Sequence, residues 1–160
     1  MKGERHVLAI LVENYSGTLS KVAGLFTRRG YNIDSLNVAE TMDPKTSRIT
    51  ATVTGDEKIL EQITKQLNKL INVIKITDLT CKKSIQRELM FVKISSSIES
   101  RNEIIQMTNV FKGKTVDISS KSITIELTGD EEKNNAFIEL VKPFGIVELV
   151  RTGLTAIERG

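Results

Sequence analysis

Apolar residues in the first half of the chain follow two alternating spacings, and those spacings predict the elements. Val7 to Val12 is an unbroken apolar run, the pattern of a central strand covered on at least one face. Leu19, Val22, Ala23 and Phe26 follow at i, i+3, i+4 and i+7, the stripe of an amphipathic helix. Arg28 and Arg29 sit where cations favour the negative pole of that helix, and Gly30 stands just beyond its end. "YNIDSLNVAETM" reads as a second strand with imperfect alternation, and "DPKTS" as a turn. Ile49, Ala51 and Val53 then alternate with Arg48, Thr50 and Thr52 as a third strand. "TGDE" opens a second helix through Leu60, Ile63, Leu67 and Leu70, and "NVIKITDLT" closes the half as a strand. The order is βαββαβ.

The second half runs through the same order. "ELMFVKI" is a strand, Ile104, Thr108 and Phe111 mark a helix, and "GKTVDIS" with "SITIEL" forms a hairpin. "TGDE" recurs at Thr128, 74 residues after Thr54, again ahead of a helix, here through Phe137, Leu140 and Val141. "GIVELV" then stands where "NVIKIT" stood. A tetrapeptide repeated at the same point of the same element order signals an internal repeat. The fold class expected is α+β, with two tandem ferredoxin-like βαββαβ domains over residues 1–80 and 81–160. The boundary falls near the polar stretch "CKKSIQRE". In this topology the second strand lies at a sheet edge. Its Ile33, Leu36 and Val38 come with no proline or lysine to blunt pairing. The first domain is therefore expected to dimerise edge to edge.

Composition narrows the function by exclusion. At 160 residues with a formal charge of +3, the balance is too weak to argue for nucleic acid or a membrane surface. The third strand, "RITATVTG", has no aromatic residue on which a base could stack, and the chain has only seven aromatics. One cysteine, Cys81, excludes an internal disulfide. No stretch has the length of a spanning helix or the pattern of a signal peptide, so a cytoplasmic protein is expected. His6 is the only histidine, at the start of the first strand, where a structural role is expected. No phosphate-binding glycine loop or metal-spacing cluster occurs. No catalytic constellation is present.

The polar elbow between the first strand and helix, "ENYSGT", is where chemistry is expected. A helix N-terminus leaves backbone N–H groups free and favours an anion. Gly17 lets a ligand approach the backbone, and the Asn14 side-chain carbonyl can accept from an ammonium group. A carboxylate pole beside an ammonium pole describes a free amino acid. The alternative is that Asn14 or Ser16 caps the helix and Gly17 only eases the turn.

"ENYSGTLSKVAGLFTRRGYNIDSL", followed by "DPKTSRIT", "GDEKILEQITKQLNKL", "RELMFVKI" and "VELVRTG", resembles the small regulatory subunits of acetohydroxyacid (acetolactate) synthase, with an ACT domain first. The resemblance spans essentially the whole chain and is most specific from Glu13 to Leu36. It implies a non-catalytic subunit that activates a large subunit carrying thiamine diphosphate, magnesium and FAD, with no cofactor in this chain. It also implies feedback inhibition by valine or another branched-chain amino acid. The implied effector site is Asn14, Gly17 and Asn32, with backbone groups of Ser16, Thr18, Leu19 and Ile33. The second domain is implied to help contact the large subunit. A free-standing ACT-type sensor acting on another enzyme or on transcription is the alternative. Asn14 and Asn32 flank a helix of about 13 residues, so roughly 20 Å separates them. One amino acid cannot bridge them within a chain, but antiparallel pairing along the second strand brings Asn32 of one chain to the elbow of the other.

Overall fold

The computed structural model describes residues 3–160. It divides into two compact units, residues 3–85 with Gly153–Gly160, and Gln86–Thr152. The first unit holds β1 (Glu4–Glu13), α1 (Thr18–Arg28), β2 (Ile33–Glu40), β3 (Thr46–Gly55), α2 (Glu57–Asn68) and β4 (Val73–Asp78). β5 (Ser84–Ser95) begins in this unit and leads into the second. There follow α3 (Ile98–Val110), β6 (Lys114–Ile118), β7 (Ser122–Gly129), α4 (Glu131–Val141), a 3-10 turn at Lys142–Phe144, and β8 (Ile146–Arg151). The two βαββαβ orders predicted from spacing are both present. Among the described residues no helix is long and apolar enough to cross a membrane.

The first sheet is antiparallel in the order β2-β3-β1-β4, with β1 aligned on β3 from Glu4 opposite Gly55 to Glu13 opposite Thr46. β2 lies at its edge. Leu8, Ile10 and Val12 of β1 join Ile49, Ala51 and Val53 of β3 beneath Val22, Leu25 and Phe26 of α1 and Ile63 and Leu67 of α2. The second sheet repeats the order as β6-β7-β5-β8. Met90, Val92 and Ile94 pack there with Ile123, Ile125, Leu127, Ile104 and Phe137. Phe111 meets Phe137 edge to face at 5.3 Å, a favoured aromatic geometry. On α4 the buried positions are Asn134, Phe137 and Val141. Leu140, expected in the stripe, falls outside this i, i+3, i+7 set and is exposed.

The repeated "TGDE" has a physical cause. Asp56 and Asp130 are the N-caps of α2 and α4, and each carboxylate accepts from the amide three residues on, at 2.8 Å. The preceding glycines leave room for the first helical turn. A Cβ at Gly55 would lie 3.0 Å from the Ile59 side chain, and one at Gly129 would lie 2.6 Å from that of Lys133.

The last eight residues depart from the expected division at residue 80. They include an unexpected strand, β9 (Thr155–Glu158), which pairs with β5. Gly153–Gly160 belongs to the first unit. Leu154 and Ala156 are buried against Val7, Ala9 and Leu79, on the sheet face opposite the helices. Arg48 donates to the Ala156 carbonyl at 2.6 Å, and the Leu154 amide donates to Ser35 Oγ at 3.3 Å. Gly153 runs so close to the Leu36 carbonyl that no Cβ fits. This segment explains the unbroken run Val7–Val12, because β1 is covered on both faces. Leu154→Ala is expected to lower the stability of the first unit by about 2–3 kcal/mol. Urea denaturation measures this, and a change below about 0.5 kcal/mol would show that the segment does not dock.

Candidate functional site

β1 ends at Glu13, and the chain turns into α1 over four residues. Gly17 is the N-cap with φ 87° and ψ −6°, a left-handed conformation that glycine adopts without strain. The helix has no side-chain cap and no acidic residue in its first turn, unlike α2 and α4. The capping role open to Asn14 or Ser16 is therefore not what these side chains do. The Thr18 amide donates to the Tyr15 carbonyl, and the Lys21 amide starts the helical ladder on the Gly17 carbonyl. The amides of Leu19 and Ser20 between them are the open donors of the first turn. A Cβ built on Gly17 meets nothing within 4 Å, so the approach to these donors is open.

Asn14 is braced by the β2–β3 turn. Its Nδ2 donates to Glu40 Oε1 at 3.1 Å and to the Pro44 carbonyl at 3.0 Å, and its backbone amide donates to the Lys45 carbonyl at 2.8 Å. Both side-chain partners only accept, which fixes the amide orientation and leaves Oδ1 as an acceptor. Asn14, Ser16, Gly17 and Leu19 are exposed and Thr18 is buried, so the elbow is an open surface with a firm floor. Glu40 and Pro44 were not foreseen from sequence. Their part is to hold Asn14, from 26 and 30 residues away.

Asn32 and Ile33 are not brought to the elbow. Gly30, with φ 70°, ends α1 at its other pole, and the Tyr31 amide closes on the Phe26 carbonyl. The 11 residues of α1 separate the two groups by about 16 Å. Asn32 Nδ2 donates to Asp34 Oδ1, and Asp34 Oδ2 accepts from Thr54 Oγ1. Ile33 starts β2 opposite Val53, ahead of a register shift that leaves Asp34 out of the ladder. β2 has a strand partner on one side only, so its outer backbone groups are those of an edge. His6 is buried at the mouth of β1 and donates from Nε2 to the Gly55 carbonyl at 3.1 Å. Cys81 is free and exposed.

Two βαββαβ units, the first with an uncapped, glycine-led helix start after β1, define an ACT-type protein. Residues 8–75 match the family model of the AHAS small subunit-like ACT domain, and residues 87–160 match that of the small subunit of acetolactate synthase. The chain is 52% identical over 161 aligned positions to the probable acetolactate synthase small subunit of Methanothermobacter thermautotrophicus, covering 100% of this chain and 96% of that one. It is 44% identical over 157 positions to the acetolactate synthase isozyme 3 small subunit of Escherichia coli, covering 98% and 96%. The crystal structure of the acetolactate synthase small subunit from Thermotoga maritima superposes with a TM-score of 0.90 at 39% identity, over 98% of each chain. The chain belongs to the family of acetolactate synthase small subunits.

Proposed function

We propose that this chain is the regulatory subunit of an acetolactate synthase: it activates a thiamine-diphosphate-dependent large subunit and confers feedback inhibition by valine or another branched-chain amino acid. The observation that carries the effector site is the uncapped start of α1 beside a braced Asn14. The effector carboxylate accepts from the Leu19 and Ser20 amides and lies at the positive pole of α1. Its ammonium donates to Asn14 Oδ1. The apolar side chain lies over Leu19, which is 43% exposed.

Two such units pairing antiparallel along β2 place Asn32 and Ile33 of one chain at the elbow of the other, enclosing the effector at their interface. Effector binding and dimerisation are then thermodynamically linked. Inhibition follows when the bridged dimer favours a less active arrangement of the large subunit, which requires different effector affinity for the two arrangements. The second unit contributes to the large-subunit contact. Phe91 and Val150, cross-strand partners on β5 and β8, are 39% and 52% exposed and offer apolar surface for it.

Reconstitution with the large subunit tests the function. Adding the chain raises acetolactate formation, and valine then lowers it; a large subunit indifferent to the chain contradicts the reading. Asn14→Ala removes the ammonium acceptor and is expected to raise the valine concentration for half inhibition about tenfold or more. Its two lost hydrogen bonds are exposed, so the fold is expected to weaken by no more than about 1–2 kcal/mol. Unchanged valine sensitivity in this variant removes Asn14 from the site.

A further inference from the structure

β2 is held only lightly from within its own sheet. It has a strand partner on one side, none of its residues is fully buried, and its ladder slips at Asp34, just before Ser35. A further hold comes from the end of the chain. The Leu154 amide donates to Ser35 Oγ at 3.3 Å, and a Cβ on Gly153 would lie 2.4 Å from the Leu36 carbonyl oxygen. Backbone rests there on backbone, with no side chain between them to absorb a shift, and close-packed groups transmit strain. The segment is also fastened across the sheet. The Ala156 carbonyl accepts from Arg48, and Leu154 and Ala156 are buried with Val7, Ala9 and Leu79.

The residues just before this segment are fastened to the second unit. The Thr152 amide donates to the Leu89 carbonyl at 2.9 Å, and the Thr152 hydroxyl accepts from the Leu89 amide at 3.0 Å. Arg151 is ion-paired with Glu88, which is 6% exposed. Thr152 and Gly153 are consecutive, so their Cα atoms are about 3.8 Å apart. A flexible linker of several residues would absorb a movement at either end. This connection has no spare residue in which to lose one.

We propose that the Thr152–Gly153 junction is a coupling element, through which a displacement of β2 on effector binding reaches the second unit and the large-subunit contact. The inference rests on the effector reading above, in which Asn32 and Ile33 close over an amino acid held at the partner's elbow. Ser35 and Leu36 follow Ile33 directly along β2. When the start of β2 shifts to enclose the effector, Gly153 follows Leu36 and pulls on Thr152. The effector then favours whichever arrangement of the two it binds more tightly, as coupling requires.

Inserting two glycines between Thr152 and Gly153 puts slack into the junction while leaving every contact named above available. With the large subunit, the inserted chain is expected to activate as the native chain does. Its half-saturating valine concentration is expected to stay within about threefold of native by calorimetry. At saturating valine, however, the residual acetolactate-forming activity is expected to be at least about threefold that with the native chain. Gly153→Ala, which forces the segment off Leu36, is expected to raise the residual activity as well. Native-like maximal inhibition in both variants overturns the proposal and leaves the effector site standing. Lost valine binding in the inserted chain overturns it too, because the junction would then belong to the site. So does lost activation, because the junction would then serve the large-subunit contact itself. A native chain that neither binds valine nor confers inhibition sinks the effector reading, and the coupling with it.

Discussion

Replacing Gly17 by aspartate is expected to abolish valine inhibition while leaving activation of the large subunit intact. Gly17 has φ 87°, and a Cβ there meets no atom within 4 Å. The substitution therefore costs only the backbone preference, about 1 kcal/mol, and aspartate tolerates this region better than most residues. Its carboxylate would stand among the Leu19 and Ser20 amides, take those donors itself and repel the effector carboxylate. A loss of affinity of about 100-fold or more is expected, since 1.4 kcal/mol is tenfold and both attraction and repulsion change sides. Gly17→Ala separates strain from charge, because it imposes the same backbone cost without the carboxylate. It should keep most of the inhibition. Inhibition curves for the two variants with the same large subunit make the comparison, and equal loss in both would place the effect in the backbone.

The largest stability effect is expected at Glu88. This residue is 6% exposed and is joined to Arg151 by an ion pair and to Asn134 Nδ2 at 3.1 Å. Arg151 in turn donates to Asn135 Oδ1 at 2.8 Å, and Asn134 is fully buried. Glu88→Ala leaves the partly buried Arg151 guanidinium with Asn135 alone and the buried Asn134 amide with only its long bond to the residue 88 carbonyl. Removing one partner of a buried pair costs about 3–5 kcal/mol. A chain of two units need not unfold in one step. Hydrogen exchange at the amides of Met90 to Ile94 therefore reads the second unit directly. Glu88→Leu with Arg151→Met removes both charges and should recover much of the loss. Protection unchanged in Glu88→Ala would show that the pair is not part of the fold's stability.

Much of this molecule is written in short-range spacing. The stripe from Leu19 to Phe26, the alternation from Ile49 to Val53 and the repeated "TGDE" each depend on neighbours within a turn or a strand. The turn into α1 is legible for the same reason, since Asn14, Ser16 and Gly17 fall within four residues. What stayed hidden depends on distant partners. Nothing near Asn14 announces that Glu40 and Pro44 hold its amide. Glu88 and Arg151 are 63 residues apart and look like ordinary surface charges. The segment Gly153–Gly160 follows the second repeat in sequence, yet it belongs to the first unit. Its two buried residues, Leu154 and Ala156, make too short a pattern to reveal that they cover the first sheet. His6 is expected in a structural role at the strand mouth; that it is buried there, with a partner for only one of its nitrogens, depends on Gly55 in the neighbouring strand and is not visible in the sequence.

The central claim is that the elbow at the start of α1 binds a branched-chain amino acid through its two charged poles. A calorimetric titration of the purified chain with valine, run beside Gly17→Asp, tests it most directly. The account predicts saturable binding to the native chain and none to the variant, with both folded by circular dichroism. Equal valine binding by the two chains would contradict it, because the effector would then sit elsewhere.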